Sequence, residues 1–162
     1  MSGKKEYLYK GNKLRLVVLK DRQYKRGRVE KIEDTLIAAV PAKETALGPL
    51  LTTWYRKEAK NIISIRARKY AQSMGQTFGV IHIRDQKSRW GSCSSARNLN
   101  FNWRLVMAPE WVMDYVIVHE LCHLTHMDHS ARFWGLVERY MPDYRTAKQW
   151  LKEHGQELVI RL

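Results

Sequence analysis

The sequence predicts an α+β chain, and three stretches carry that expectation. Short alternating or β-branched runs fill the first forty positions, an amphipathic stretch follows to residue 75, and Trp111 to Leu124 is apolar nearly all the way round. Period-two runs bounded by turn residues read as strands, and apolar residues spaced by three and four read as helix.

Tyr7–Tyr9, Leu14–Leu19, Arg28–Lys31 and Thr35–Val40 are separated by KGN, DRQYKRG and ED, which predicts a meander of short antiparallel strands. After Pro49 neither proline nor glycine occurs until Gly75. Leu51, Trp54, Tyr55, Ala59, Ile62, Ile63, Ile65, Ala67, Tyr70 and Met74 form a broad stripe there, so one long helix with a core-packing face is expected. Phe78–Arg84 and Leu99–Trp103 read as strands on either side of a structured polar loop, DQKSRWGSCSSARN. Pro109 stands at the first position of a buried helix whose end carries HELCH. Asp128 or Ser130 is placed to cap a further helix to Tyr140, and Pro142 to start a last one through His154, before Gly155 and a short terminal strand.

With 162 residues, 44% of them hydrophobic, the chain can bury one core, and a single domain over 1–162 is expected. No apolar run approaches the ~18 residues of a membrane span, and the opening MSGKKEYLYKGNK lacks an apolar signal stretch. The expectation is a cytoplasmic protein with no membrane partner; nothing indicates an oligomeric state. The two cysteines, Cys93 and Cys122, do not make a disulfide framework. The net charge of +13 is uneven: residues 1–90 carry 21 Lys/Arg against 8 Asp/Glu, and residues 91–162 carry 8 against 8. A basic first half, which includes Lys25, Arg26 and Arg28, suits nucleic acid or a nucleotide, and equally a solvated surface with no partner.

The chemistry-bearing stretch is VHELCHLTHMDHSARFW, residues 118–134. His119 and His123, four apart, share one helix face with Glu120 beside them, the HExxH pattern. Imidazoles suit zinc, and a catalytic zinc takes three protein ligands, leaving a fourth position for a water whose pKa falls to about 7. Glu120 is then the candidate base. For the third ligand, His126 on a continuous helix would lie about 10 Å further along the axis. His129 follows the expected helix end, where Met127–Asp128 can turn the chain back, and it is preferred over His126 and Glu138. Cys122 points away from His119 and reads as a core thiol. Cys93 reads as a buried cysteine that could approach the metal.

RWGSCSS at 89–95, NLNFNWRLVMAP at 98–109, VHELCHL at 118–124 and DHSARFW at 128–134 together resemble the YgjP-like family of small bacterial zinc-dependent metallopeptidases, relatives of the SprT-like proteins within the zincins. Residues 1–75 match more loosely, and Asp128 stands where asparagine is commoner. The resemblance implies a zincin-like fold, with a small antiparallel or mixed sheet on a buried HExxH helix and further C-terminal helices. It places His119, His123 and His129 on Zn2+ and makes Glu120 the general base acting on a protein or peptide substrate. Residues 1–75 would be a basic strand-and-helix part and 76–162 the catalytic part. It also lends Leu99–Trp103 a role as an edge strand holding extended substrate, with Asn100 and Asn102 as side-chain donors, and Arg89 a role in orienting a loop or stabilising an oxyanion. Two rivals remain: a metal-dependent nucleotide phosphohydrolase, and a nucleic-acid-associated module whose structural zinc has a fourth protein ligand.

Overall fold

The computed structural model describes residues 6–43, 46–159 and 162. Its architecture is α+β: a four-stranded sheet, a long helix, a three-stranded sheet and three further helices.

The first sheet contains β1 (Tyr7–Tyr9), β2 (Asn12–Asp21), β3 (Arg28–Ile32) and β4 (Thr35–Pro41), in the order β1-β2-β4-β3. Lys10 and Gly11 both have positive φ, 50° and 82°, and form the two-residue hairpin turn between β1 and β2. The sheet is not the expected antiparallel meander, because β2 and β4 pair in parallel from Arg15↔Thr35 to Asp21↔Pro41. On β4, Leu36, Ala38 and Val40 are fully buried. A strand that apolar belongs in the sheet interior, so β3 folds back onto its outer edge and leaves β2 on its inner one.

The long helix α1 spans Leu47–Ser73. Pro49 is tolerated in its first turn, where an amide would have no partner within the helix. Leu51, Tyr55, Ala59, Ile63, Ala67 and Ala71 repeat every four residues and are buried; the three alanines let neighbouring elements approach closely. Ile65 departs from the expected stripe and is 65% exposed, since it stands two residues from Ile63 and so on another face. Tyr55 donates to the carbonyl of Leu8 at 2.8 Å, which ties α1 to the first sheet. The helix ends at Gly75, whose φ of 63° a side chain would oppose.

The second sheet has β5 (Ile81–Arg84), β6 (Gly91–Cys93) and β7 (Leu99–Asn102), in the order β5-β7-β6. Strand β6 lies within the stretch expected to be a loop; a three-residue strand containing Gly and Ser has no alternating signal to read. Strand β7 is therefore central, parallel to β5 and antiparallel to β6, and is not the edge that Leu99–Trp103 was expected to supply. A short 3₁₀ turn, Trp103–Met107, leads to α2 (Glu110–Cys122). Val112, Met113, Val116, Ile117, Val118 and Leu121 are buried around all sides of α2, because α1, β6 and the last two helices pack against it. Arg66 of α1 fastens it with ion pairs to Asp114 at 2.7 Å and Glu110 at 2.8 Å.

Of the two candidate caps, Ser130 starts α3 (Ala131–Tyr140), its hydroxyl accepting from the Phe133 amide. The last helix, α4 (Tyr144–Leu158), continues through Gly155 where a stop was expected. A Cβ on Gly155 would lie 3.0 Å from the Trp90 ring, so the glycine serves packing and not termination. The expected terminal strand falls largely on residues 160–161, outside the described residues. No helix among the described residues is long and apolar enough to cross a membrane.

Candidate metal centre

Helix α2 delivers His119 in its last turn and His123 at its C-cap. The chain then turns sharply: the amides of Thr125 and His126 both bond the Cys122 carbonyl. Arg97 steadies this turn by donating to the Leu124 carbonyl and, on its other side, to the Thr77 carbonyl at 2.6 Å. The turn carries His129 back over the helix end, one residue before the Ser130 cap. His119, His123 and His129 then present ring nitrogens that all lie within 4.8 Å of one another.

The protonation pattern suits a cation. His123 Nδ1 lies 2.9 Å from the His126 carbonyl oxygen, which can only accept, so Nδ1 carries the proton and Nε2 keeps its lone pair. His119 Nδ1 is bonded to the Tyr115 hydroxyl at 3.3 Å. The free Nε2 atoms converge, at 3.2 Å between His123 and His129 and 3.4 Å between His129 and His119. Burial, then the neighbouring His123, His129 and Lys148, push His119 down to about 3, and burial lowers His123 as well. Three imidazole Nε2 atoms meeting at one point are the donor set a borderline divalent ion takes.

An aromatic floor fixes these rings. Phe133 is fully buried and stacks on His123 with centroids 4.3 Å apart, while its edge contacts reach His119 and His129 at 4.9 and 5.1 Å. Trp134 lies against His119 and His129 at 5.5 and 6.1 Å. Such pairs each add about 0.5–1.5 kcal/mol beyond burial, and they limit ring rotation. The sequence places Phe133 and Trp134 four and five residues after His129, but nothing in that spacing says what they touch.

Glu120 is 4% exposed, with Oε1 4.0 Å from His123 Nε2. It faces a cleft of about 540 Å³ walled by β6, by Arg89 and Trp90 before it, and by Lys148 and Leu151 of α4. Burial pushes its carboxyl up to about 8, opposed by Arg89. Gly91 of β6 meets it directly: a Cβ there would lie 2.9 Å from both Cγ and Oε2 of Glu120. Only glycine lets the strand come that close, a requirement hidden in RWGSC. Gly91→Ala is expected to retain metal while lowering turnover by roughly 10²-fold, the usual effect of about 1 Å of misplacement; metal content measured beside kcat/KM checks it.

The remaining candidates separate clearly. His126 contributes its carbonyl and not its ring, and Glu138 is exposed and pairs with Arg145 at 3.8 Å. Cys122 is buried outside the group, its thiol pushed up to about 12 by burial. Cys93 is half-buried and lines the cleft. Asn102 is 2% exposed and holds the loop before β6, donating to the carbonyls of Gln86 and Arg89 and accepting the Arg104 amide at 3.0 Å. Asn100 accepts from Arg84 at 3.1 Å. Neither asparagine lines the cleft, whereas Arg89 does.

The metallopeptidase zymogen of Pyrococcus abyssi abylysin superposes with a TM-score of 0.51 at 25% identity, covering 59% of this chain and 94% of that one. The metallopeptidase zymogen of Methanocaldococcus jannaschii jannalysin gives 0.48 at 23% identity, covering 60% and 97%. No protein of curated function matches the sequence. The sequence does match the YgjP-like metallopeptidase domain, and does so over residues 1–154, across both sheets, the histidine cluster and most of α4: the chain belongs to the YgjP-like family of metallopeptidases.

Proposed function

We infer that the chain hydrolyses peptide bonds with a zinc ion held by His119, His123 and His129 and with Glu120 as general base. The observation that carries this reading is the convergence of three histidine ring nitrogens in a cleft that also contains a buried carboxylate. Zinc in such a site supplies Lewis acidity, making a water acidic near neutral pH and polarising a carbonyl. Glu120 takes the proton of the attacking water and passes it to the departing amine. Alone, its burial favours the neutral acid; a dication beside His123 favours the charged base. Among the described residues the convergent group has three histidines and opens to the cleft, which supports a hydrolase over a closed structural site.

An extended peptide fits beside β6. Asn102 N bonds Trp90 O and Ser94 N bonds Asn98 O, both at 2.9 Å, so the alternation of an antiparallel ladder turns the main-chain groups of Gly91 and Cys93 outward. Those groups can pair with substrate main chain, the role first expected of β7. The unpaired cysteines fit a reducing cytoplasm. The test is incubation with an unfolded protein, a peptide library and nucleoside triphosphates. Peptide cleavage that a chelator abolishes and zinc restores is expected; hydrolysis of the triphosphates alone would overturn the reading in favour of a phosphohydrolase.

A further inference from the structure

Part of the positive charge lies away from the metal centre. Residues 56–97 carry ten Lys/Arg against two Asp/Glu. Both acids are engaged within the fold: Glu58 accepts from the Tyr9 hydroxyl at 2.9 Å and Asp85 pairs with Arg104 at 2.7 Å. On α1, Lys60, Ser64, Arg68 and Gln72 follow at intervals of four and so share one face. That face is one wall of a groove of about 720 Å³ whose other wall is Thr77–Ile81, the chain entering β5. Among the described residues no carboxylate lines this groove, and none is shared with the metal cleft. Among the described residues strand β5 pairs only with β7, and its other side faces α1, where Arg56 donates to the Ile83 carbonyl at 3.1 Å.

We propose that the groove between α1 and β5 binds single-stranded nucleic acid. Lys60 and Arg68, eight residues apart and about 12 Å along the helix axis, make no ion pair with a carboxylate among the described residues and take phosphates. Ser64 and Gln72 add polar contacts between and beyond them. Phe78, half-buried, and Val80, 54% exposed, offer apolar surface to unstacked bases. A duplex presents phosphates on a convex surface with its bases hidden, so it would leave that apolar wall unused. The cationic run from Lys25 to Arg28 is the poorer site: the groove beside Arg28 interleaves Lys31 and Lys57 with Glu30 and Glu58.

The test uses the full-length chain and fluorescein-labelled single-stranded DNA and RNA oligonucleotides, with anisotropy read across a salt series. Binding at low salt is expected. Lys60→Glu with Arg68→Glu should weaken it at least about tenfold and flatten the log–log salt slope by about 1.4, the share of two phosphate contacts on a single strand. Lys25→Glu with Arg26→Glu makes the same change in net charge and should have much less effect. Thermal melting and metal content report whether each variant is folded, and Lys60→Gln with Arg68→Gln replaces the reversal if that variant is not. The proposal is overturned by no binding at low salt, by equal losses in the two double variants, by duplex binding as tight as single strand, or by polyglutamate displacing the probe as well as unlabelled oligonucleotide does.

Discussion

Glu120→Gln should yield a folded, metal-loaded protein that has lost hydrolysis by about 10²–10⁴-fold, the usual consequence of removing a general base. Glutamine keeps the shape that fits between Gly91 and His123, where a Cβ on Gly91 would lie 2.9 Å from the Glu120 side chain. The amide oxygen it leaves cannot take a proton from water at neutral pH. Among the described residues no other carboxylate lines the cleft, so no neighbouring acid substitutes for it readily. Metal content, melting temperature and turnover, measured on one preparation, separate the effect on chemistry from an effect on the site. A metal-loaded variant with wild-type turnover would show that another group moves the proton.

The second large effect is loss of the metal itself. His119→Ala, His123→Ala and His129→Ala should each emerge from dialysis depleted of metal, while His126→Ala keeps about one ion per chain. The three nitrogens lie within 4.8 Å of one another, and removing any one leaves two donors in place of three. Loss of a direct ligand should exceed the roughly 10–100-fold cost of losing an outer hydrogen-bond partner. His126 acts through its main-chain oxygen, which alanine retains. Retention of metal by His129→Ala together with loss by His126→Ala would overturn the assignment.

Part of this site is legible in one dimension because a helix is a local structure. The interval of four between His119 and His123 means one face wherever a helix forms, and the apolar run from Val112 to Leu121 is enough to expect a buried one. The return of His129 was arguable from length alone, since a straight helix would carry His126 out of reach. The polar stretch before β7 was opaque for the opposite reason. Strand β6 is three residues long, and its value lies in what it touches, Glu120 on one side and β7 on the other.

By itself, then, the sequence determined the α+β class, the long helix over most of Leu47–Ser73, the helix bearing HExxH and the residue types that suit a divalent metal. Each follows from periodicity and donor chemistry within a few turns of chain. Tertiary structure alone decided that β2 and β4 run parallel, that β6 and not β7 borders the cleft, that Phe133 and Trp134 floor the histidines, and that Gly155 lies inside a helix against Trp90. It also placed Lys60 and Arg68 on one wall of a groove between α1 and the chain entering β5. The reason is common to all of these: which residues become neighbours is settled by contacts between segments far apart in the chain, and local periodicity says which face is apolar without saying what that face will meet.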